Sequence, residues 1–203
     1  MRIFVSHAAE DCEIASKLVD LLEIGMGVPD DHIFFTSQAG TIKNGEFFVQ
    51  TILTNLAEAE LVVCLISRAY LRSQFCLAEA GAAMLKKMGV GCQLTVDPSM
   101  LATAAVFAPA SLVAGVFAGE VMKKVKCAPK RSLIFSLTIP PTNFSEISGV
   151  LHGVQVGSIR SRETLTELRQ LVRANPDCKV VAEVKWVTRL EQFIKFATAY
   201  GES

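Results

Sequence analysis

The stretch Leu61-Val62-Val63-Cys64-Leu65-Ile66 decides the fold, because it contains no charged residue and shows no alternation of polar with apolar positions. Such a run is typical of a parallel strand that is covered on both faces of its sheet. Other mainly apolar segments precede and follow it, at residues 3–5, 33–35, 133–139 and 153–156. The pattern therefore predicts five strands, of which residues 61–66 form the third.

Between the predicted strands, apolar residues recur at the three- and four-residue spacing of helices. The predicted helices carry, in chain order, Ile14 with Leu18, Leu21 and Leu22; Phe48 with Ile52 and Leu56; Phe75 with Ala78, Ala82 and Leu85; Leu165 with Leu168, Leu171 and Val172; and Trp186 with Leu190, Phe193 and Ala197. Strands that alternate with helices predict an α/β fold. We expect a flavodoxin-like, five-stranded parallel sheet of order 2-1-3-4-5 with helices on both faces.

Two local signals mark the starts of helices. Glu10, Asp11 and Glu13 lie at the start of the first helix, where the helix dipole favours acidic side chains. Thr164 and Glu167 have the spacing of a capping box, which predicts that the fourth helix begins at Thr164.

The composition indicates one folded domain with balanced charge. The 203 residues include 20 Lys and Arg and 20 Asp and Glu, so the basic surface of a general nucleic-acid-binding protein is not expected. Hydrophobic residues make up 51% of the chain, which excludes disorder of the whole. The six cysteines and three histidines lack metal-ligand spacing, so we expect no metal site. Because no long apolar segment opens the chain, we expect reduced thiols in a cytoplasmic protein.

A sheet of this order binds ligands beyond the carboxyl ends of its strands, between strands 1 and 3. The loops there are residues 6–9, 36–44 and 67–74. Gly40 and Gly45 have the spacing of a phosphate-binding P-loop. The two positions after Gly45, which must be Lys and Ser or Thr, are Glu and Phe, so a P-loop is excluded.

Glu79 is the candidate that the pattern singles out near these loops. It lies early in the helix after strand 3, one turn after Phe75 and among apolar residues. The pattern alone leaves two interpretations open, a partly desolvated site carboxylate and an ordinary acid near a helix start. Cys76 lies in the same turn, and we interpret it as a packed thiol.

Four segments resemble a TIR domain: residues 3–7 (IFVSH), 33–37 (IFFTS), 42–45 (IKNG) and 65–79 (LISRAYLRSQFCLAE). The last of these is the most specific. Further on, Ile139-Pro140-Pro141 with Phe144, Gly149, Leu151 and Gly153 resembles the C-terminal half of bacterial TIR proteins. The resemblance implies a TIR domain over residues 1–173, interrupted by an apolar insertion at about 89–130, and an appended helix over 174–203.

The resemblance implies an enzyme that cleaves NAD+ at the nicotinamide–ribose bond, with NAD+ as its substrate and no further cofactor. The family's catalytic glutamate falls on Glu79, and the aromatic residue four positions earlier falls on Phe75, where the family often has Trp. Loop 37–45 corresponds to the family's BB loop, which borders the nucleotide pocket and joins neighbouring subunits. The implied substrate-binding residues are Phe75, Ser6, His7, Ser37, Lys43 and Tyr70.

For the biological role, the resemblance implies antiphage defence or nucleotide signalling. The product would be ADP-ribose, a cyclised form, or an exchange product formed with another nucleophile. Other TIR proteins are non-enzymatic adaptors that act by homotypic assembly, and this alternative stays open. The intact Glu79 favours the enzyme.

Residues 98–119 contain no charged side chain and are long enough for one membrane-spanning helix. The predicted strands before and after this run belong to one sheet, so a single crossing is excluded. Pro109 also divides the run into two short helices. Its Ala and Gly residues allow close helix packing. We therefore predict a homo-oligomer contact here, in addition to TIR–TIR contacts, and favour it over a buried lobe or a membrane-surface contact.

Replacement of Val113 and Phe117 with Asp should break this contact, because each buried side chain of that size contributes about 1.5–3 kcal/mol. Light scattering is expected to give a smaller mass for the double variant than for the wild type. A wild-type monomer, or a wild type found only in the membrane fraction, would contradict the prediction. A double variant that does not fold would instead indicate a buried lobe.

Overall fold

The computed structural model describes residues 1–35, 48–87, 133–147, 151 and 154–200, with the backbone alone at 48–50. Within these ranges, five parallel strands form one sheet in the order β2-β1-β3-β4-β5. The strands are β1 (Ile3–Ser6), β2 (Ile33–Phe35), β3 (Leu61–Ile66), β4 (Leu133–Thr138) and β5 (Val156–Ser158). The predicted flavodoxin-like order 2-1-3-4-5 is confirmed.

Six α-helices connect and cover these strands within the described ranges. They are α1 (Cys12–Asp20), α2 (Phe48–Glu58), α3 (Arg68–Arg72), α4 (Gln74–Lys87), α5 (Arg162–Arg173) and α6 (Glu183–Tyr200). A π-helical turn, Leu21–Gly25, extends α1, and short 3-10 turns lie at Ala9–Asp11, Asp30–His32 and Phe144–Glu146. None of the helices in the described ranges is both long and apolar enough to cross a membrane.

All six residues of β3 are fully buried, and they alternate between two hydrophobic cores. Leu61, Val63 and Leu65 pack in the core that contains the buried faces of α1, α5 and α6. The intervening residues, Val62, Cys64 and Ile66, pack in the core that contains those of α2 and α4. Helices therefore cover both faces of the sheet, as the unbroken apolar run predicts.

The helix at the end of the chain, α6, lies in the first of these cores. Its predicted apolar face is confirmed, since Trp186, Leu190, Phe193 and Ala197 are buried. The guanidinium of Arg169 on α5 lies 4.7 Å from the centre of the Trp186 ring and donates two hydrogen bonds, of 2.9 and 2.8 Å, to Glu183. Cation–π contact and a bidentate ion pair together hold α6 against α5.

The chain that leads into α6 passes close to the end of α1. The N–H of Lys179 donates to the carbonyl of Gly27 over 2.8 Å, and Gly27 has a φ of 82°. A Cβ at position 27 would lie 2.2 Å from the carbonyl oxygen of Lys179. Both the positive φ and this close approach require glycine.

Three predicted boundaries are wrong. Strand β5 is Val156–Ser158 rather than 153–156, because the backbone pairs Ser136 with Val156 and continues from there. Strand β4 ends one residue early, at Thr138, just before the Pro140-Pro141 pair. Helix α5 begins at Arg162, not Thr164.

The N-cap of α5 is Ser161, whose hydroxyl accepts a hydrogen bond of 3.1 Å from the N–H of Thr164. Thr164 is therefore inside the first turn, and the predicted capping box of Thr164 with Glu167 is not the start of the helix. The predicted insertion, with its assembly segment 98–119, lies outside the described residues.

Lys86 on α4 ties this helix to the end of α2. Its ammonium donates to the carbonyl oxygens of Leu56, Ala57 and Ala59 over 3.2, 2.6 and 2.5 Å. The last carbonyls of a helix have no partner within it, and they carry the negative end of the helix dipole. The Lys86 ammonium thus provides a hydrogen-bond donor for three backbone carbonyls at the end of α2.

Lys86→Met, which keeps most of the side-chain stem, should lower the free energy of unfolding by about 1–2 kcal/mol. The matched control is Lys87→Met, since Lys87 is the exposed neighbour on the same helix. Urea unfolding of both variants measures the difference. Equal stability of the two would contradict a specific role for the Lys86 ammonium.

Candidate functional site

The candidate site lies where the carboxyl ends of β1 and β3 meet the helices α3 and α4. Ser6 is the last residue of β1, Ser67 follows β3 directly, and Glu79 lies on α4. Ser6 is paired with Cys64 across the two strands. This is the point between strands 1 and 3 at which the sheet order reverses, as predicted for ligand binding.

The buried face of α4 differs from the predicted one. Cys76, Glu79, Ala80 and Ala83 are buried, whereas Ala78 and Leu85 are exposed. The small side chains at positions 76, 80 and 83 let the helix lie close to the sheet. The predicted face of Phe75, Ala78, Ala82 and Leu85 relied on Leu85, which is 47% exposed, as its largest aliphatic side chain. On the observed buried face of α4, the Glu79 carboxyl lies against the sheet.

Three side chains from three elements form a buried hydrogen-bonded chain. The Ser6 hydroxyl donates to Oε2 of Glu79 over 2.5 Å, and it lies 3.1 Å from the hydroxyl of Tyr70 on α3. The Tyr70 hydroxyl also lies 3.2 Å from the carbonyl oxygen of Cys76, to which it can donate. All three side chains are at least nine-tenths buried.

Burial changes the ionisation of Glu79. It raises the pKa of the carboxyl from 4.5 to about 7, and the hydrogen bond from Ser6 lowers it only in part. Among the described residues, no cation forms an ion pair with Glu79. The carboxyl is therefore poised between its neutral and charged forms at physiological pH.

The cysteines and the tyrosine around Glu79 in the described ranges do not ionise near neutral pH. Burial raises the pKa of Cys64 to about 12, that of Cys76 to about 11, and that of Tyr70 well above 10. Cys76 also donates from its sulfur to the backbone carbonyl of His7 over 3.5 Å. Its thiol thus stays protonated and packed, as the sequence interpretation expects.

His7 is a neutral imidazole beside this cluster. Burial lowers the pKa of its ring, which stacks on Phe35 with 4.7 Å between the ring centres. Its Nδ1 lies 3.3 Å from the carbonyl oxygen of Val5. A proton on Nδ1 that is donated to this carbonyl leaves Nε2 as an acceptor.

Asp11 is a buried carboxylate that the sequence analysis missed. It is 5% exposed, accepts a hydrogen bond of 2.5 Å from Ser67, and has a pKa that burial raises. The same Ser67 hydroxyl accepts from the N–H of Tyr70 over 3.0 Å and caps α3. Asp11 therefore fixes the helix that carries Tyr70.

The sequence groups Asp11 with two ordinary acids at a helix start. The one signal that separates it is positional: Asp11 and Ser67 follow the carboxyl ends of two neighbouring strands. The structure shows no capping hydrogen bond from the Asp11 side chain at the start of α1.

The structure brings together Glu79, Ser6 and Tyr70 of the predicted site residues, with His7 next to Ser6 in the chain. Phe75 lies one turn before Glu79 on α4, half-buried against the second core. Ser37 and Lys43 lie outside the described residues. Among the described residues, no group of three or more His, Cys, Asp and Glu side chains is placed to hold a metal ion.

Comparison with known families gives a match to part of the chain. Residues 3–100 match a family model described as TIR domain. The matched range runs from β1 past the end of α4 and so includes all the described residues of the candidate site. No curated protein matches the chain.

Glu79→Gln should stabilise the protein at pH 8 by up to about 3 kcal/mol, because each unit of pKa displacement corresponds to about 1.36 kcal/mol. The unfolded carboxyl ionises above its ordinary pKa of 4.5, but the folded one ionises only near pH 7. Wild-type stability therefore falls between these two pH values and stays reduced above them. Urea unfolding near pH 4 and at pH 8 tests this, and an equal effect of the substitution at both would contradict it.

Proposed function

Because this chain carries a TIR domain over residues 3–100, we propose that it is a NAD+ nucleosidase that cleaves the nicotinamide–ribose bond. The TIR family includes enzymes of this type as well as scaffolds. The observation that carries the proposal is the Glu79 carboxyl, which is 7% exposed and held by Ser6 at the switch point of the sheet. Antiphage defence or nucleotide signalling is the proposed role.

The energetics of Glu79 support an active role. Among the described residues, the Glu79 carboxylate has one hydrogen-bonding side chain and no cation, and a carboxylate buried in this way destabilises the folded protein above neutral pH. A protein that acts only as a scaffold gains nothing from such a group. Buried carboxyls with strongly raised pKa values, placed in a ligand-binding cleft, are typical of active sites.

Cleavage of the nicotinamide–ribose bond calls for a buried carboxylate such as that of Glu79. Nicotinamide in NAD+ carries a positive charge, and when the bond from its nitrogen to C1′ of the ribose breaks, the electron pair leaves with nicotinamide. The ribose then has oxocarbenium character, which a nearby carboxylate stabilises in a water-poor environment. Water forms the new bond to C1′ in hydrolysis and releases a proton, whereas an internal nucleophile gives a cyclic product.

Other residues have proposed roles in binding. Phe75, one turn before Glu79, would flank the nicotinamide or its ribose. His7 would meet the phosphates or the second ribose, as would Ser37 and Lys43 of the 37–45 loop. The alternative is a non-enzymatic adaptor that assembles through TIR–TIR contacts. In that case, substitution of these residues would not change NAD+ levels.

Glu79→Gln is expected to abolish NAD+ cleavage, with a loss of at least about a hundredfold, because the amide cannot balance the charge that develops on the ribose. The measurement is chromatography and mass spectrometry of the products of purified protein and NAD+. The matched control is Glu10→Gln, an exposed acid in the turn after β1, and it should retain wild-type turnover.

Two outcomes contradict the proposal. A wild-type protein that leaves NAD+ intact, alone and at concentrations that favour assembly, would favour the adaptor. A folded Glu79→Gln variant with wild-type turnover would remove Glu79 from the mechanism. The melting curve of the variant separates loss of chemistry from loss of fold.

Turnover should also depend on pH through Glu79. Only the carboxylate stabilises the oxocarbenium, and its pKa of about 7 in the free protein means that kcat/KM rises with pH through neutrality and levels off above about pH 8. Values of kcat/KM between pH 5 and 9 test this. A flat profile over a range in which the protein stays folded would contradict the role of a raised pKa.

A further inference from the structure

We propose that Ser6, supported by Tyr70, is the positioning residue that holds Oε2 of Glu79 and leaves Oε1 for the substrate. The inference rests on the proposed function for the identity of that substrate. It assigns to Ser6 and Tyr70 a role through Glu79, in place of direct contacts with phosphates or ribose.

The position of Ser6 favours this role. Its side chain is 1% exposed, and its hydroxyl is engaged with Glu79 on one side and Tyr70 on the other. This hydroxyl can donate to a ligand only after it gives up its hydrogen bond to Glu79. The 2.5 Å distance to Oε2 is that of a charge-assisted hydrogen bond to a carboxylate.

Glu79 uses its two oxygens differently. Oε2 accepts from Ser6, while Oε1 has no hydrogen-bond partner in the described part of the chain. A carboxylate that is fixed through one oxygen keeps its orientation, and the other oxygen is then available to the ribose. Such preorganisation is what makes a charged group effective in the transition state.

The hydroxyl chain satisfies every proton in both charge states of Glu79. In the ionised state, Ser6 donates to Oε2, and Tyr70 donates to Ser6 or to the carbonyl of Cys76. In the neutral state, Glu79 donates to Ser6, Ser6 donates to Tyr70, and Tyr70 donates to Cys76. When Glu79 gains or loses a proton, rotation of the hydroxyl groups rearranges the chain, so that Oε2, Ser6 and Tyr70 keep hydrogen-bond partners in both states.

The other groups facing Glu79 do not disturb this chain. Among the described residues these are Cys64 on β3, Tyr70 on α3 and, from its own helix, Cys76. All three stay neutral through pH 8. The buried His7 next to Ser6 is also neutral in this range, because burial lowers the pKa of its ring. A change in the titration of Glu79 in this range therefore reports on Ser6 and Tyr70.

The sheet supplies a matched control for Ser6. Ser6, Cys64 and Ser136 are partners in one row across β1, β3 and β4. Ser136 is buried like Ser6, but its hydroxyl has no hydrogen-bond partner within the described ranges. Ser136→Ala removes a buried hydroxyl from the same row without touching Glu79.

The experiment follows the Glu79 carboxyl by NMR in protein labelled with ¹³C at the Glu carboxyls, with Glu79→Gln to assign the signal. The midpoint of its titration is compared in the wild type, Ser6→Ala, Tyr70→Phe and Ser136→Ala. The same proteins are assayed for kcat and KM with NAD+ across the pH range. The NMR readout does not depend on turnover.

Ser6→Ala should move the midpoint to higher pH, because the carboxylate loses its donor. At pH 7, kcat should fall about tenfold, with KM changed less than about twofold and partial recovery at higher pH. Tyr70→Phe should move the midpoint in the same direction by less, since Ser6 loses the donor behind it. Ser136→Ala should leave all these values unchanged.

An unchanged midpoint in Ser6→Ala overturns the proposal, as does a rise in KM with kcat unaltered, which would indicate a direct substrate contact. If Ser6→Ala does not fold, Tyr70→Phe decides by the same criterion. Failure of the proposed function is seen separately. A wild type that leaves NAD+ intact, while Ser6→Ala still moves the midpoint, overturns NAD+ cleavage and supports the hold of Ser6 on Glu79.

Discussion

The complete burial of β3 on both faces is the constraint from which the rest of the structure follows. The odd-numbered and even-numbered residues of β3 pack in two separate cores, and each core needs its own layer of helices. Two layers of helices in turn require crossovers between parallel strands, which brings the carboxyl ends of β1 and β3 to the same edge. Ser6 and Cys64 end up paired across the two strands for this reason, although they are far apart in the chain. The site is a product of how the core is closed.

The same packing creates the electrostatic tension in the site. The small residues that bring α4 close to the sheet, Cys76, Ala80 and Ala83, also remove water from the Glu79 carboxyl. The close packing of α4 on the sheet therefore disfavours the charged form of Glu79. Such local conflict between stability and ionisation is typical of sites that act on a ligand.

The sequence predicts well those features of the fold that depend on the residue pattern within a single segment. The run Leu61–Ile66 indicates a buried parallel strand by itself, and the spacing of Trp186, Leu190, Phe193 and Ala197 indicates the buried face of α6. The pattern singles out Glu79 but also fits a surface acid, and the resemblance to the TIR family is what favours a site carboxylate. Its burial depends on which way α4 faces.

What the sequence does not predict depends on contacts between distant segments. Asp11 is like its acidic neighbours until Ser67, 56 positions away, donates to it. The face of α4 is set by its packing against β1 and β4, and the four alanines and two leucines along the helix leave more than one face open. The N-cap of α5 falls on Ser161 although Thr164 has the better capping-box spacing, since the end of β5 fixes where the chain turns.

The contact between Arg169 and Trp186 gives the molecule an optical label. Trp186 is the single tryptophan of the chain, and it is 2% exposed beneath a guanidinium at the junction of α5 and α6. Intrinsic fluorescence excited at the indole band therefore comes from one place. It reports whether the last helix is seated on the domain, and it does so from the opposite face of the sheet to Glu79.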